Sequence, residues 1–303
     1  QTCALPICNK TGGKALITIR YGQIEDTESI MTLLSKVWAD DYVPHMWTEW
    51  VQQPEWGIVL VAEHEGSIVG TCYVDFMANN TCWFQAMRVH PDYRRLGVGT
   101  ELTTSCLKEA AARGKSGAYL GIDADNSASI KMTAKQGFQR ILDYKRLATK
   151  LPPRDMLSLR QTMWRQATDD DINDMLKLCN TAKGPGSIFA CWQWEPLNYG
   201  ALERNISEKT LWVWGTSDDI LVWAGFENHK PEYHLFAPCG EPNDIKAALD
   251  DLLDCIQGQD EVALEFWVHS EDPIVTYLKA MGFIEEDGYT IWEHSLCPQL
   301  VAH

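Results

Sequence analysis

The sequence lacks several features that mark large classes of protein. No stretch approaches the roughly 18 consecutive apolar residues of a membrane-spanning helix, so we expect no membrane partner. The 10 cysteines include no Cys-x-x-Cys pair and no Cys/His cluster at zinc spacing, so we expect no metal. No secretory signal peptide is visible, which favours a reducing, cytoplasmic compartment.

Basic residues are scarce in the second half of the chain. Lys and Arg number 26 against 42 Asp and Glu, which gives a net charge of −16. Residues 1–150 contain 16 charges of each sign, so the whole excess belongs to residues 151–303. An acidic surface repels phosphate backbones, and we therefore expect no nucleic-acid partner. Solubility explains this charge better than attraction of a cationic partner does.

The residues that are present indicate two globular domains of the α/β (α+β) class. A chain of 303 residues that is 45% hydrophobic can bury two separate cores. Strand and helix signals alternate up to a break at Leu151-Pro152-Pro153, and the same order then recurs weakly. We predict domains at 14–150 and 161–303, a linker at 151–160, and a disordered or artefactual leader at 1–13.

One segment has the pattern of an anion site. It reads Met87-Arg88-Val89-His90-Pro91-Asp92-Tyr93-Arg94-Arg95-Leu96-Gly97-Val98-Gly99-Thr100. A strand ends at a proline, and a basic, glycine-bearing turn then opens a long helix, whose first N–H groups are unpaired. Glycines let those groups approach a ligand closely, so we predict a pyrophosphate site. The third glycine of a dinucleotide-binding fold and the Lys-Ser/Thr pair of a P-loop are both absent.

These residues resemble the GNAT (GCN5-related) N-acetyltransferases. Arg94, Gly97 and Gly99 match the hallmark Arg/Gln-x-x-Gly-x-Gly/Ala, and Asn126 and the helix end Lys135-Gln136-Gly137-Phe138 extend the likeness. The resemblance implies tandem domains, each with a mixed, mostly antiparallel sheet flanked by helices, and acetyl-CoA as co-substrate. The implied cofactor-binding residues are Met87, Arg88, Val89, Arg94, Arg95, Leu96, Gly97, Val98, Gly99, Thr100, Asn126 and Ser129.

The second half departs from this pattern at the corresponding position. The chain there reads Ala237-Pro238-Cys239-Gly240-Glu241-Pro242-Asn243-Asp244, without an arginine and with acidic residues where phosphate would lie. The negative charges of these acidic side chains would repel the phosphate groups of a cofactor and oppose its binding. We expect one cofactor site per chain and a degenerate second domain.

The proton-transfer groups are the least defined part of the prediction. The position where relatives place a tyrosine acid is Thr133, which we retain as a candidate although its hydroxyl is a poor acid. Asp75 is the candidate base, with His90 and water as alternatives. We also leave open a catalytically silent acyl-CoA-binding sensor.

The acceptor is predicted to bind beside the segment that follows the first helix. Asp41, Tyr42 and Trp47 could surround a cationic group, although core packing is the alternative for Trp47. Asp41-Tyr42-x-Pro44 followed by tryptophans is similar to histidine N-acetyltransferase-like proteins. That resemblance implies a small-molecule amine such as a free amino acid, with Arg88 as the partner of its carboxylate. A protein or peptide N-acetyltransferase is the other alternative, and the chain could be a monomer or a homodimer.

Overall fold

The computed structural model describes residues 17–77, 79–151, 162–181, 186–190, 192–216, 219–229, 232–256 and 261–296. The predicted leader lies outside this set, as does the predicted linker apart from its first residue. Among the described residues, no helix combines the length and the apolar character of a membrane span. Nor do any three His, Cys, Asp or Glu side chains of this part of the chain gather closely enough to hold a metal ion.

The first half of the chain alternates strands and helices largely as predicted. Its elements are β1 (Ile17–Tyr21), α1 (Thr27–Ser35), α2 (Val43–Gln52), β2 (Gly57–His64), β3 (Ser67–Phe76), β4 (Thr81–Val89), α3 (Val98–Ala112), β5 (Gly117–Asp123), α4 (Ser127–Lys135) and β6 (Gln139–Leu151). A 3-10 turn, Ile24–Asp26, precedes α1, and a second one, Pro91–Tyr93, follows β4.

The second half repeats this order with an added hairpin. Its elements are β7 (Trp164–Gln166), α5 (Ile172–Thr181), β8 (Ser187–Ala190), β9 (Gln193–Pro196), α6 (Tyr199–Ser207), β10 (Leu211–Gly215), β11 (Ile220–His229), β12 (Glu232–Gly240), α7 (Pro242–Ile256), β13 (Val262–His269), α8 (Ile274–Ala280) and β14 (Ile284–Ser295). The sequence reading did not predict β8, β9, α6 or β14.

Two compact units contain these elements, and neither unit is contiguous in the chain. Of the described residues, the first unit holds 17–121, 127–140 and 292–296, and the second holds 122–126 and 141–291. Most of β6 therefore belongs to the second unit, while the last residues of β14 belong to the first. Each half of the chain gives its final strand segment to the unit formed by the other half.

The first unit is built on a mostly antiparallel sheet. Its strand order is β1-β2-β3-β4-β5, followed by the end of β14, and only β4 and β5 pair in parallel among β1–β5. The helices α1 and α2 pack on β2 and β3 through buried residues such as Leu33 and Trp47. Their apolar side chains recur at three- and four-residue spacing, which is why these segments form helices with one buried face.

Residues 292–296 complete this unit. The Leu296 amide donates to the Ser116 carbonyl at 2.9 Å, and the Tyr119 hydroxyl donates to Glu293 at 2.9 Å. The His294 ring lies 5.2 Å from the ring of Phe138. These contacts join the segment to residues on both sides of α4.

The second unit has a sheet of the same type. Its strand order is β14-β6-β13-β12-β11-β10-β7. The β12–β13 pair is parallel, whereas β6–β13, β11–β12, β10–β11 and β7–β10 are antiparallel. The helices α7 and α8 bury Leu249 and Leu278 in one core cluster, and α5 and α6 bury Met175 and Leu202 in another. Only Glu241 separates β12 from α7, so no loop corresponding to residues 90–97 is formed.

Candidate active site

The connection from β4 to α3 bends sharply, and the bend requires a backbone conformation at Gly97 that favours glycine. Arg95 and Gly97 both have positive φ values, +64° and +94°. Glycine adopts this region without strain, whereas residues with a Cβ adopt it at a cost. A Cβ at Gly97 would find no atom within 4 Å, so the bend opens onto free space.

The backbone amides after this bend have no hydrogen-bond partner within the described part of the chain. Across Leu96–Thr100, all of which the structure describes, no protein group accepts a hydrogen bond from a backbone N–H, and no side chain caps α3. This helix has 15 residues, so its N-terminus carries a partial positive charge. Arg94 and Arg95 are exposed beside it. The amides, the helix terminus and the two guanidinium groups together fit a diphosphate.

The second glycine of the motif has a packing role. A Cβ at Gly99 would lie 2.9 Å from Met132 Sδ and 3.9 Å from Val89 Cγ2. Gly99 therefore lets α4 approach the first turn of α3. The sequence analysis predicted close approach of a ligand at both glycines, and only the surroundings of Gly97 are open.

The strand before the bend presents an unpaired edge. The parallel pairing of β4 with β5 runs from Thr81 to Phe84. Beyond it, Ala86 has a φ of +56° and the register with β3 shifts. From Gln85 to Val89, no strand of the described chain pairs with the side of β4 that faces away from β3. An extended ligand with amide groups could hydrogen-bond to this edge as an added strand does.

Asn126 and Ser129 lie at the start of α4. The Asn126 amide donates to the Asp123 carbonyl at 3.0 Å, and its side chain is exposed. Ser129 is half-buried in the first turn of the helix. Both residues make further interactions within the protein. By its contacts Asn126 belongs to the second unit, whereas Ser129 belongs to the first.

A cluster of charged and aromatic side chains lies where α1 leads into α2. Arg88 Nε donates to Asp41 Oδ2 at 2.7 Å, and Arg88 Nη2 donates to Asp41 Oδ1 at 3.0 Å. The Arg88 guanidinium lies 5.3 Å from the centre of the Trp38 ring and 5.7 Å from that of Tyr42. The side chain of Asp41 is 2% exposed and that of Arg88 13%. The ion pair therefore fixes the guanidinium beside two aromatic rings.

Tyr42 connects this cluster to the unpaired edge of β4. Its hydroxyl donates to Gln85 Oε1 at 3.4 Å, and its ring meets Trp50 edge-on at 6.1 Å. Desolvation of the phenol raises the pKa of Tyr42 to about 12, so the hydroxyl stays protonated at neutral pH. The residue as a whole is still 41% exposed, and Trp38 is 56% exposed. The cluster is therefore open to a small molecule.

A model of the acetyltransferase (GNAT) family matches residues 25–138. An acetyltransferase of Pectobacterium atrosepticum is 30% identical over 128 residues, which cover 41% of this chain and 88% of that protein. A second acetyltransferase, from Sodalis glossinidius, is 30% identical over 126 residues, 40% of this chain and 86% of the relative.

The chain belongs to the GNAT acetyltransferase family.

Solved structures extend the likeness in fold to both halves. A GCN5-related N-acetyltransferase from Sphaerobacter thermophilus aligns with a TM-score of 0.62 at 15% identity, over 92% of this chain and 96% of that one. A tandem GNAT protein from the clavulanic acid biosynthesis pathway aligns with a TM-score of 0.60 at 12% identity, over 94% and 100%. The predicted fold class, tandem GNAT-like domains with mostly antiparallel sheets, is confirmed.

Three of the candidate residues do not fit the roles predicted for them. Thr133 is 1% exposed, so its hydroxyl is closed off from solvent. Asp75 pairs with Trp83, roughly 16 Å along β4 from Arg88, so it is remote from the cluster at Asp41 and Arg88. Trp47 is 0% exposed and lines no open surface. We correct these expectations: Thr133 and Trp47 pack the interior, and Asp75 lies apart from the acceptor cluster.

Sequence reasoning missed two residues of the cluster. Trp38 was not distinguished from the other tryptophans of its segment, although it alone among Trp38, Trp47 and Trp50 is exposed. Its position just after α1, outside the helical repeat of buried residues, is the signal that could have identified it. Gln85 gave no signal, because its contact with Tyr42 joins residues 43 positions apart.

Proposed function

We propose that the chain transfers the acetyl group of acetyl-CoA to the amine of a small acceptor that also carries a carboxylate, such as free histidine or another amino acid. The observation that carries this proposal is the Arg88 guanidinium, held by Asp41 and close to the rings of Trp38 and Tyr42. When bound, acetyl-CoA supplies the activated acetyl thioester.

The residues that would hold the cofactor lie on the bend and on β4. The free amides of Leu96–Thr100 and the side chains of Arg94 and Arg95 would bind its diphosphate. Main-chain groups of Met87 and Val89 would bind the pantetheine arm along the unpaired edge. Residues 14–150 would thus carry the catalytic site, and the acidic half at 161–303, with only Glu241 between β12 and α7, would bind no CoA.

Arg88 would bind the acceptor carboxylate. Within the described residues, three of its five N–H groups donate to Asp41 and to the Met87 carbonyl, so two remain for a ligand. Asp41 acts as a positioning residue, because both its oxygens already accept from Arg88. The exposed rings of Trp38 and Tyr42 would flank the acceptor side chain.

The attacking amine must be neutral, and water would accept its proton. The candidate base Asp75 lies on β3 opposite Trp83, which is roughly 16 Å along β4 from Arg88. The high pKa of Tyr42 keeps that residue a hydrogen-bond donor rather than a base. We therefore expect the rate to follow the fraction of acceptor amine that is unprotonated, rising with pH toward the pKa of that amine.

Thiol release from acetyl-CoA in the presence of matched acceptors tests this proposal. We expect turnover with histidine and related amino acids, and at least about tenfold lower kcat/KM with histamine, which lacks the carboxylate. Equal rates for histidine and histamine would contradict the role of Arg88. Acetylation of peptides alone would favour a protein acetyltransferase, and tight CoA binding without any thiol release would favour the silent sensor.

A further inference from the structure

Two buried thiols of the second unit lie unusually close together. Cys179 on α5 and Cys239 on β12 have their Sγ atoms 2.7 Å apart. Both residues are buried, at 5% and 1% exposure. The pair joins a helix to the central part of the sheet, 60 residues apart in sequence.

This separation is short for two unbonded sulfur atoms. Unbonded carbon atoms already prefer about 3.5–4.0 Å, and sulfur is the larger atom. A covalent sulfur–sulfur bond has a length of about 2.0 Å, so a small shift of two side chains is enough to form one.

We propose that Cys179 and Cys239 are a redox modification site that forms an intramolecular disulfide with a small hydroperoxide as oxidant. With hydrogen peroxide, one thiol is oxidised to a sulfenic acid and one water is released. The second thiol then attacks that sulfur, the disulfide bond forms, and a second water leaves. Two thiols lose two hydrogen atoms in total, and one peroxide is reduced to two waters.

Burial determines which reagents can act on the pair. The neighbouring Cys179 thiol and desolvation raise the pKa of Cys239, so little thiolate exists at neutral pH and oxidation is slow. A small neutral peroxide can reach a site of this depth during brief local openings, whereas bulky thiol reagents and reductants are excluded. Cys255 is exposed and provides the contrast within the same unit.

The disulfide would stabilise the second unit. A bond between residues 60 positions apart restricts the unfolded chain over a long loop. It also anchors α5 to β12, whose side chains share one core cluster. This effect does not depend on acetyl transfer, because the pair lies on no element assigned to the cofactor or the acceptor.

In the test, the reduced protein is treated with hydrogen peroxide and followed by intact-mass and peptide mass spectrometry. We expect the protein to lose about 2 Da over time and to yield a peptide pair linked through Cys179 and Cys239. The melting temperature of the second unit should rise by several degrees. A small reductant, added after partial unfolding, should reverse all three changes. Cys179→Ala and Cys239→Ala remove a buried thiol without adding a polar group, and each should abolish the linked peptide and the thermal shift. Cys255→Ala is the matched control and should retain both.

Three results would overturn the proposal. The first is a wild-type protein that forms no peptide linked through Cys179 and Cys239 at any peroxide dose or exposure time at which it stays folded. The second is a linked peptide that involves other cysteines. The third is a mass loss and thermal shift that persist in the two alanine variants. If one variant fails to fold, the linked peptide in wild type and its absence in the other variant still decide the question.

Discussion

Gly97 illustrates how much a single backbone angle can determine in this protein. It immediately precedes α3 with a φ of +94°, and Gly114 follows the same helix with a φ of +70°. A Cβ at either position would meet no neighbouring atom. Gly97→Ala and Gly114→Ala should therefore each lower the free energy of unfolding by about 1 kcal/mol. Only Gly97→Ala should also weaken acetyl-CoA binding, by tenfold or more, because only that Cβ enters the bend before the free amides.

Isothermal titration with acetyl-CoA and chemical denaturation of both variants measure these two effects separately. Equal affinities for Gly97→Ala and Gly114→Ala would argue against the bend as the diphosphate site.

Arg88 gives a second test at the scale of one side chain. Arg88→Lys keeps the positive charge but loses the planar guanidinium group that Asp41 holds through two hydrogen bonds. The KM for amino-acid acceptors should therefore rise about 10- to 100-fold, while the KM for acetyl-CoA stays within about twofold. Arg20→Lys is the matched control, since Arg20 forms a similar two-bond ion pair with Asp26 away from the cluster. Steady-state kinetics with histidine and histamine should show the change for Arg88→Lys alone, and only with histidine.

The sequence predicts those residues whose role depends on neighbours that are close along the chain. The bend at Arg94–Gly97 follows from a strand, a proline, a basic turn and a helix in succession, all within about 15 residues. Trp47, Thr133 and Asp75 depend instead on burial and on distant pairing. The helical repeat that buries Trp47 and the position of Asp75 on β3 become decisive only when the neighbouring strands are in place.

At the scale of elements, the two halves share a capping arrangement. Arg20 binds Asp26 across the 3-10 turn before α1, and Arg165 binds Asp171 in the same way before α5. In each half the carboxylate also accepts from the amide just before the turn, Asp26 from Gln23 and Asp171 from Thr168. Helix periodicity does not reveal these ion pairs, because each joins a strand to the turn that follows it.

This arrangement predicts a pH dependence of stability. The hydrogen bonds from Arg20 and from the Gln23 amide outweigh desolvation and lower the pKa of Asp26 from its ordinary value. The stabilisation is therefore complete above the unfolded-state pKa of about 3.9 and disappears as the pH falls through the lower folded-state pKa. Asp26→Asn should cost about 1 kcal/mol at pH 7, with a difference from wild type that shrinks below about pH 4.

Urea denaturation of wild type and Asp26→Asn between pH 3 and pH 8 measures this difference. Asp26 is a better site for this test than Asp171, because Asp26 lies in the unit that carries the cofactor bend. A difference that stayed constant down to pH 3 would contradict the assignment of the effect to the carboxylate.

Element prediction failed where the chain departs from simple alternation. The short strands β8 and β9 have only four residues each, so they carry little period-two signal. The strand β14 contains Glu285 and Glu286 near its start and continues through Gly288. This polar start gives no strand signal, although Thr290–Trp292 are buried. The exchange of final strand segments has no local signal at all, because it depends on which unit each strand joins.

At the scale of the whole molecule, the exchange predicts that the first unit needs residues far along the chain. Removal of 292–303 deletes the partners of Ser116 and Tyr119. Such a chain should bind acetyl-CoA at least tenfold more weakly, whereas a chain that ends at Leu296 should bind normally. Titration of both truncated proteins tests this, and equal affinities would show that the segment is dispensable.

The number of cofactors per chain is a further prediction at this scale. Only Glu241 lies between β12 and α7, and the acidic second half offers no arginine there. Titration calorimetry should therefore give one acetyl-CoA per chain, and Arg94→Ala should weaken that single event rather than one of two. A stoichiometry of two would mean that the second unit has a site of a different design.

The position of residues 292–296 also has a consequence for biosynthesis. A ribosome releases the bend, both arginines and α3 long before it reaches Trp292, so the nascent first half waits without its last structural partner. Its edge at β5 stays open to other strands during this interval, and a molecular chaperone or a second nascent chain could pair there first. Translation speed through the second half would then set the yield of active enzyme.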